Sequence, residues 1–536
     1  MLSRLSPAIA LALLATACSG GSSPGSNTPD AGGGDDVDGG QQVNACKVAP
    51  DGNAPGTCGA HAAPNSFDAE VQWSWNGPDG ETNAYVMPLA ANLTDDNADG
   101  AIDLCDTPDV VVVASSNNIG LAGSIGHIYL LNGSTGAQEL KIATDVDASV
   151  TPAIGDLDGD GVPEIVTTDP SGHFVGFHHD GTLLFGPADA WPDLPNFAAM
   201  RFAASIALAD LDGDGHVEII AGGSVYNDRG IKKWSVADKS QIAEYSNTTA
   251  ADLDGDGKLE VVFGNAAYHA DGTLYWSTKL LAGNPQVANL DADPEPEILL
   301  TSAAGVSLIE HDGTVTRAEQ TNFNGVGNTT PKPCDSTQCW FSAAALGDFD
   351  GDGGAEYAVS SARYGAQGGI EMVHYADQRG MNGSMVWSTN INDTSGFASG
   401  TAFDFLGDGH TETMYADEQH LYVFDGSGHA IFQMPRTSVT FSEYPIVVDV
   451  DNDGSAEIVV TSNAFGTPSP TVQVIHDRQD RWVATRRIWN QHTYHVTNVR
   501  EDGTIPAHEE PSWAHLNSFR VNAQIENGGV CVAVVQ

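Results

Sequence analysis

Asp156, Asp158, Asp160 and Glu164 occupy positions 1, 3, 5 and 9 of the stretch Asp156-Leu-Asp-Gly-Asp-Gly-Val-Pro-Glu164, with a glycine at position 6. Alternate side-chain oxygens on a tight loop can close round a hard cation, and a later carboxylate can add a bidentate contact. Calcium takes such a shell, with roughly six to eight oxygens at about 2.3–2.6 Å. Glycine at position 6 permits the sharp turn that brings the oxygens together.

The pattern recurs. Five further copies carry a full set: Asp95/Asn97/Asp99/Asp103, Asp210/Asp212/Asp214/Glu218, Asp252/Asp254/Asp256/Glu260, Asp348/Asp350/Asp352/Glu356 and Asp449/Asp451/Asp453/Glu457. Two copies are impaired. Asn289/Asp291/Asp293/Glu297 has Pro294 in place of the glycine, and proline cannot reach positive φ. Asp404/Asp408/Glu412 has Leu406 at position 3, which removes a ligand. The copies follow one another at roughly 51 residues, near the upper end of propeller-blade periods.

The elements that must hold these loops repeat with them. An apolar run enters each loop (Ala204 to Leu208, Ile446 to Val448), and a β-branched pair leaves it (Ile165-Val166, Ile219-Ile220, Ile458-Val459). These read as buried strands. A third strand ends in Asp-Gly (Asp180-Gly181, Asp271-Gly272, Asp312-Gly313, Asp425-Gly426), a hairpin signal because the turn needs positive φ. A fourth strand often carries an aromatic: Phe185, Trp276, Trp387, Phe432, Trp482. Four hairpin-linked strands at this period describe a propeller blade. The β-rich flanks exclude EF-hands, which need amphipathic helices. Eight loops favour eight blades, with seven as the alternative, and Val71 to Trp75 could close the ring. His179, His269, His311 and His476 recur once per unit near the turns, which favours a repeated packing role over catalysis.

The run from Ser149 to Val166 resembles the FG-GAP (VCBS) repeat of the integrin α-subunit propeller. The likeness extends over residues 85–488 through the acidic loop and the strand pattern, while the Phe-Gly and Gly-Ala-Pro elements are mostly missing. The resemblance implies an all-β propeller of four-stranded antiparallel blades with calcium as the cofactor. It also implies a role in recognition or adhesion towards a protein or glycan ligand. A polysaccharide lyase or hydrolase built on a propeller is the alternative. No nucleophile elbow, phosphate loop or HExxH motif is present.

The chain has 536 residues with 71 acidic against 21 basic, a formal charge of −50. That balance excludes nucleic acid as a partner, since phosphate is bound through basic surface. Residues 1–18 read as an export signal: Arg4 precedes the apolar run Ala8 to Ala15, too short to span a bilayer. Leu14-Ala-Thr-Ala-Cys18 resembles a bacterial lipobox, which implies lipidation of Cys18 and anchorage in a membrane. Ser19 after it favours the outer membrane. Residues 19–45 are Gly, Ser, Asp and Pro-rich and read as a solvated tether. Residues 46–84 read as a disulfide-bearing segment with an entry strand.

Six cysteines remain after Cys18, which allow 15 connectivities. Cys46–Cys58 and Cys334–Cys339 would close short loops, leaving Cys105 for Cys531. Residues 489–536 read as a C-terminal cap. Around Arg486 to Asn498 the mix of Trp489, His492, Tyr494 and His495 suits a ligand site through stacking and hydrogen bonding, and equally suits a cap docked on the blades. His492 and His495 as metal ligands are a third reading.

Overall fold

The computed structural model describes residues 56–532, apart from 64–65, 118–121, 192–203, 244–246, 292, 321–338, 365–369, 380–383, 394–396 and 464–468. The expected signal and tether, together with Cys18, Cys46 and Cys334, lie outside the described residues.

Each acidic loop joins the first two strands of an antiparallel sheet, and the described residues build eight such sheets of four or five strands, with no α-helix. The second sheet is representative: Ala153–Gly155, Glu164–Thr168, Phe174–Phe177 and Leu183–Phe185 pair in chain order. The loop lies between its first pair of strands and His179-Asp180-Gly181 between its last. The arrangement is propeller-like. In the eighth sheet the chain supplies Ile446–Val448, Glu457–Thr461 and Val472–Asp477, and the fourth strand comes from the N-terminal side, Ala69–Trp75. Trp482 is therefore not on a fourth strand. It is buried against Phe67 and Phe405 beyond the third strand.

Neighbouring sheets are locked by the fourth-strand aromatics. Trp234 Nε1 donates to Ala270 O at 2.9 Å and Trp276 Nε1 to His311 O at 2.8 Å, each reaching the next sheet's turn. A Cβ at Gly272 would stand 2.8 Å from the Trp234 ring, and one at Gly313 would stand 2.6 Å from Trp276, so the Asp-Gly signal serves packing as well as positive φ. The largest apolar cluster runs from the eighth sheet (Ile446, Val459, Val474) through the first (Val110 to Val113) to the second and third. The two ends of the described region meet in a small sheet of Gly56–Thr57, Gly529–Val532 and Gln524–Glu526.

Cys58 is bonded to Cys531. This corrects the expected pairings Cys46–Cys58 and Cys105–Cys531; Cys105 is also disulfide-bonded. Sequence proximity favoured the short loop, but ring closure brings residues 473 apart in sequence side by side.

Candidate metal loops and the central segment

Three hydrogen bonds shape the second-sheet loop. Gly161 N–H donates to Asp156 Oδ2 at 3.0 Å, Val162 N–H to Asp160 Oδ1 at 2.9 Å and Leu157 N–H to Glu164 Oε2 at 2.8 Å. The same three recur in the third loop, at 2.7, 2.9 and 2.9 Å. They recur in the fourth at 3.0, 2.9 and 2.9 Å, the sixth at 2.9, 2.9 and 2.8 Å and the eighth at 3.1, 2.8 and 3.0 Å. Carboxylate oxygens of Asp156, Asp158 and Asp160 lie within 4.8 Å of one another, as do those of Asp252, Asp254 and Asp256, and of Asp210, Asp212 and Glu218. Oxygen donors at this spacing fit a calcium ion.

Backbone amides of the loops also use one oxygen of several expected ligands. In the third loop oxygens of Asp210, Asp212 and Glu218 cluster, and Asp214 Oδ1 accepts from His216 N–H at 2.9 Å, as Asp160 Oδ1 does from Val162 N–H. In the sixth, Asp350 Oδ1 accepts from Asp352 N–H at 3.3 Å, Asp352 Oδ1 from Gly354 N–H at 2.9 Å and Glu356 Oε2 from Phe349 N–H at 2.8 Å. Asp348 uses both oxygens, on Gly351 and Gly353 N–H at 2.7 and 2.9 Å. In the fifth, Asp291 Oδ1 accepts from Asp293 N–H at 2.8 Å. In the eighth, Asp451 Oδ1 accepts from Asp453 N–H at 3.2 Å and Asp453 Oδ1 from Ser455 N–H at 2.8 Å. Spacing alone treated Asp214, Asp291, Asp350, Asp352 and Glu356 purely as ligands. Each also shapes its loop, because amides inside a tight turn have no strand partner and must find an acceptor nearby.

The damaged loops differ as their sequences require. In the fifth, Glu297 still accepts from Leu290 N–H at 2.5 Å, but Asn289 Nδ2 turns to Asp293 O at 2.5 Å, and Pro294 offers no N–H. The seventh keeps its backbone shape, with Gly409 N–H on Asp404 Oδ2 at 2.8 Å, His410 N–H on Asp408 Oδ1 at 3.0 Å and Phe405 N–H on Glu412 Oε2 at 3.2 Å. There the position-3 residue, Leu406, instead accepts at its carbonyl from Ala62 N–H at 2.8 Å.

The position-9 glutamate is buried in all seven loops that have one. With Oε2 held by the backbone, Oε1 is the oxygen left for other partners. His178 Nδ1 lies 3.3 Å from Glu164 Oε1, Lys233 Nζ 2.7 Å from Glu218 Oε1 and His269 Nδ1 2.8 Å from Glu260 Oε1. Glu297 Oε1, Glu457 Oε1 and Asp449 Oδ1 are buried with no hydrogen-bond partner. An unpaired buried acceptor of this kind is costly, and a cation is the partner it calls for. His178 and His269 share one place, each donating its N–H across the turn to Thr182 O or Thr273 O, whereas His179 stands one residue further along. The histidines thus occupy two register positions rather than one.

Burial, reinforced by neighbouring carboxylates, raises the glutamates: Glu164 to about 7, Glu297 to about 8, and Glu412 and Glu457 well above the usual carboxylate range. A carboxyl raised in the folded state stabilises the fold at low pH, and that contribution is lost as pH rises through the folded pKa. Without metal, the protein is expected to melt highest near about pH 5 and to weaken progressively towards about pH 8. Saturating calcium should flatten or reverse the trend by replacing the proton. Thermal melts across this range in EDTA and in calcium check it.

The first sheet departs from its siblings. By strand pairing Ala91 faces Asp109, as Gly155 faces Glu164 and Ala209 faces Glu218. Leu93 N–H donates to Asp109 Oδ2 at 2.9 Å, so Asp109 takes the place of the position-9 glutamate. Asp95, Asn97, Asp99 and Asp103 form a separate loop inserted ahead of it. Gly100 N–H donates to Asp95 Oδ2 at 3.0 Å and Ala101 N–H to Asp99 Oδ1 at 2.9 Å, while buried Asp106 accepts from Asp103 N–H at 2.8 Å. Spacing alone pointed to Asp103. The signal for Asp109 was its place at the head of the run Val110 to Val113.

The segment from Arg486 to Gln524 passes the first strand of each sheet in turn. Trp489 N–H donates to Ala90 O at 2.9 Å, Ile154 N–H to Asn490 O at 2.8 Å and Leu208 N–H to Gln491 Oε1 at 2.8 Å. Thr493 Oγ1 donates to Thr248 O at 2.9 Å, and Asn289 N–H to Asn517 Oδ1 at 2.8 Å. Leu346 N–H donates to Phe519 O at 2.9 Å, Thr401 Oγ1 to Arg520 O at 2.7 Å and Asn522 Nδ2 to Val447 O at 2.8 Å. One segment thus touches all eight sheets in chain order.

Trp489, His492, Tyr494 and His495 are all buried in it. Arg486, buried, donates to Tyr494 Oη at 2.9 Å and to the carbonyls of Val496 at 2.7 Å and Val499 at 2.5 Å. Burial, with Arg520 nearby, holds His492 well below its usual range. Burial pushes His495 down, but Glu509, whose Oε1 lies 2.6 Å from Nε2, and the Thr493 carbonyl together hold it above its usual range. The two histidines therefore serve different partners.

No family model and no curated protein matches the chain. Among solved structures, it is similar to the V. cholerae biofilm matrix protein Bap1, at 21% identity and a TM-score of 0.68, covering 87% of this chain and 100% of that one. It is also similar to the exotype rhamnogalacturonan lyase YesX, at 16% identity and a TM-score of 0.51, covering 87% of this chain and 84% of that one. These likenesses place the chain among multi-sheet all-β proteins with a propeller-like fold.

Proposed function

We propose that the protein is a calcium-stabilised, eight-bladed propeller of the FG-GAP (VCBS) type that recognises a protein or glycan ligand without turning it over. In this reading Cys18 carries the lipid anchor, and the tether holds the propeller at the outer membrane. The observation that carries it is the filled centre. Trp489, His492, Tyr494 and His495, the residues best suited to a central site, are spent on packing, so the exterior is left for recognition. The eight repeated loops support a scaffold role for the ions, because acids gather at a regular place in every sheet. The description of Bap1 as a biofilm matrix protein agrees with a matrix or adhesive role. A calcium-dependent polysaccharide lyase is the second reading, supported by the likeness to YesX.

One experiment separates them. The full chain is incubated with acidic and neutral polysaccharides in calcium, following both retention and the release of new chain ends. Calcium-dependent retention without new ends is expected. Steady release of ends would replace this reading by the lyase.

A further inference from the structure

In several sheets the fourth strand bulges by one residue, and in three of them, the third, the eighth and the first, the extra residue has the same kind of neighbour. It turns to the acidic loop of its own sheet. In the third sheet the shift falls between Val225 and Tyr226 and frees Lys233, whose ammonium lies 2.7 Å from Glu218. In the eighth it frees Gln72, whose Nε2 donates to Asp451 Oδ2 at 2.6 Å. In the first the shift between Leu130 and Leu131 frees Glu139. There the residue is an acid aimed at acids.

Glu139 meets two other carboxylates. Thr94 Oγ1 lies 3.0 Å from Glu139 Oε2 and 3.1 Å from Asp109 Oδ2, so one hydroxyl touches both. Asn132 Nδ2 lies 3.2 Å from Glu139 Oε1 and 3.3 Å from Asp96 Oδ2. Among the described residues, no Lys, Arg or His pairs with Asp96, Asp109 or Glu139. Independently, Asn92 follows Ala91, the strand partner of Asp109, and so holds the place that Asp156 holds in the second sheet. Its side chain is 6% exposed, and neither Oδ1 nor Nδ2 has a partner. A buried amide left bare at the first position of a loop whose sheet also gathers three carboxylates marks a place where a ligand is missing.

We propose that the first sheet binds a calcium ion between Asp109, Glu139, Asp96 and Asn92, with Thr94 Oγ1 at its edge, at a site separate from the inserted loop 95–103. All donors are oxygens, two of them on the buried floor and two at the exposed rim, which suits a hard, flexible-shell cation rather than zinc or copper. In the third sheet Lys233 at the bulge brings a positive charge to Glu218 from the chain itself. The first sheet, with Glu139 there, must take its charge from solution. The proposal rests on the calcium reading above.

The test counts ions on the full chain, by calorimetric titration with calcium chloride and by elemental analysis after desalting. Glu139→Gln is expected to bind one calcium fewer than the natural protein. Asp99→Asn, in the inserted loop, is expected to lose one independently, and the double variant two. Glu139→Lys should lose the same ion as Glu139→Gln while melting higher than it in EDTA, because the ammonium stands in for the metal. An unchanged count in Glu139→Gln, or a double variant that loses only one ion, would overturn the separate site and leave the loops intact. A natural protein that binds no calcium would overturn both readings.

Discussion

Chelation with EDTA is expected to lower the unfolding temperature more than any single substitution. At about 1 mM ion and a dissociation constant of about 10⁻⁴ M, each site adds about 1.4 kcal/mol. Six competent loops then supply about 8 kcal/mol, comparable to the whole stability of an ordinary domain at about 5–15 kcal/mol. The metal-free loops also hold costs that the ion relieves. Asp449 Oδ1 and Glu457 Oε1 are buried without partners, and each loop keeps three or four acids within a few residues. The loops are also not peripheral to the fold, since the position-1 residues are tied into the centre. Asp156 N–H donates to Gly503 O at 3.0 Å and Asp449 N–H to Arg486 O at 3.2 Å. Loosening the loops therefore loosens the central segment. Calorimetric melts with and without chelator measure the effect, and an unchanged melt together with no calcium by elemental analysis would refute it.

Trp489→Ala is the substitution expected to cost most, at about 3–5 kcal/mol for an aromatic removed from a packed interior. Trp489 is fully buried, stacked on Tyr494 with ring centroids 4.4 Å apart and edge-on to Tyr444 at 6.0 Å. Its backbone pairs in both directions with Ala90 of the first sheet. Because the same segment holds the loops, the variant should also bind calcium more weakly. Denaturant unfolding and calcium titration on one preparation check both. At a ligand site the same change would leave the melt near its natural value and abolish retention on the ligand, so the two roles separate cleanly.

What the sequence determined by itself was the repeating unit. An acid at alternate positions, a glycine where φ must be positive and a β-branched pair after the loop are local requirements, and local chemistry is legible one residue at a time. The same logic marked Pro294 and Leu406 as defects, and the structure shows altered contacts at both places. How each acid divides its two oxygens was not legible. Asp214, Asp350 and Asp352 each give one to a backbone amide of the loop, a choice made by the turn rather than by residue type. Asp109 escaped because an insertion displaced it from the expected spacing, and only strand pairing shows that it stands where Glu164 and Glu218 stand. The cysteines escaped for the opposite reason. Nearness along the chain favoured Cys46 for Cys58, but closing the array brings Cys531 to Cys58 instead.

The role of Trp489, His492, Tyr494 and His495 was also a tertiary decision. Their types suit a binding site and a buried plug equally well, because stacking and hydrogen bonding serve either. Which it is depends on whether eight first strands converge on the segment, and no local pattern encodes that. The acidic loops with which the chain announces itself are thus legible residue by residue. That Oε1 of Glu297 and of Glu457 is left bare while Lys233 satisfies Oε1 of Glu218 is decided by packing across strands, where burial removes water as the partner of last resort.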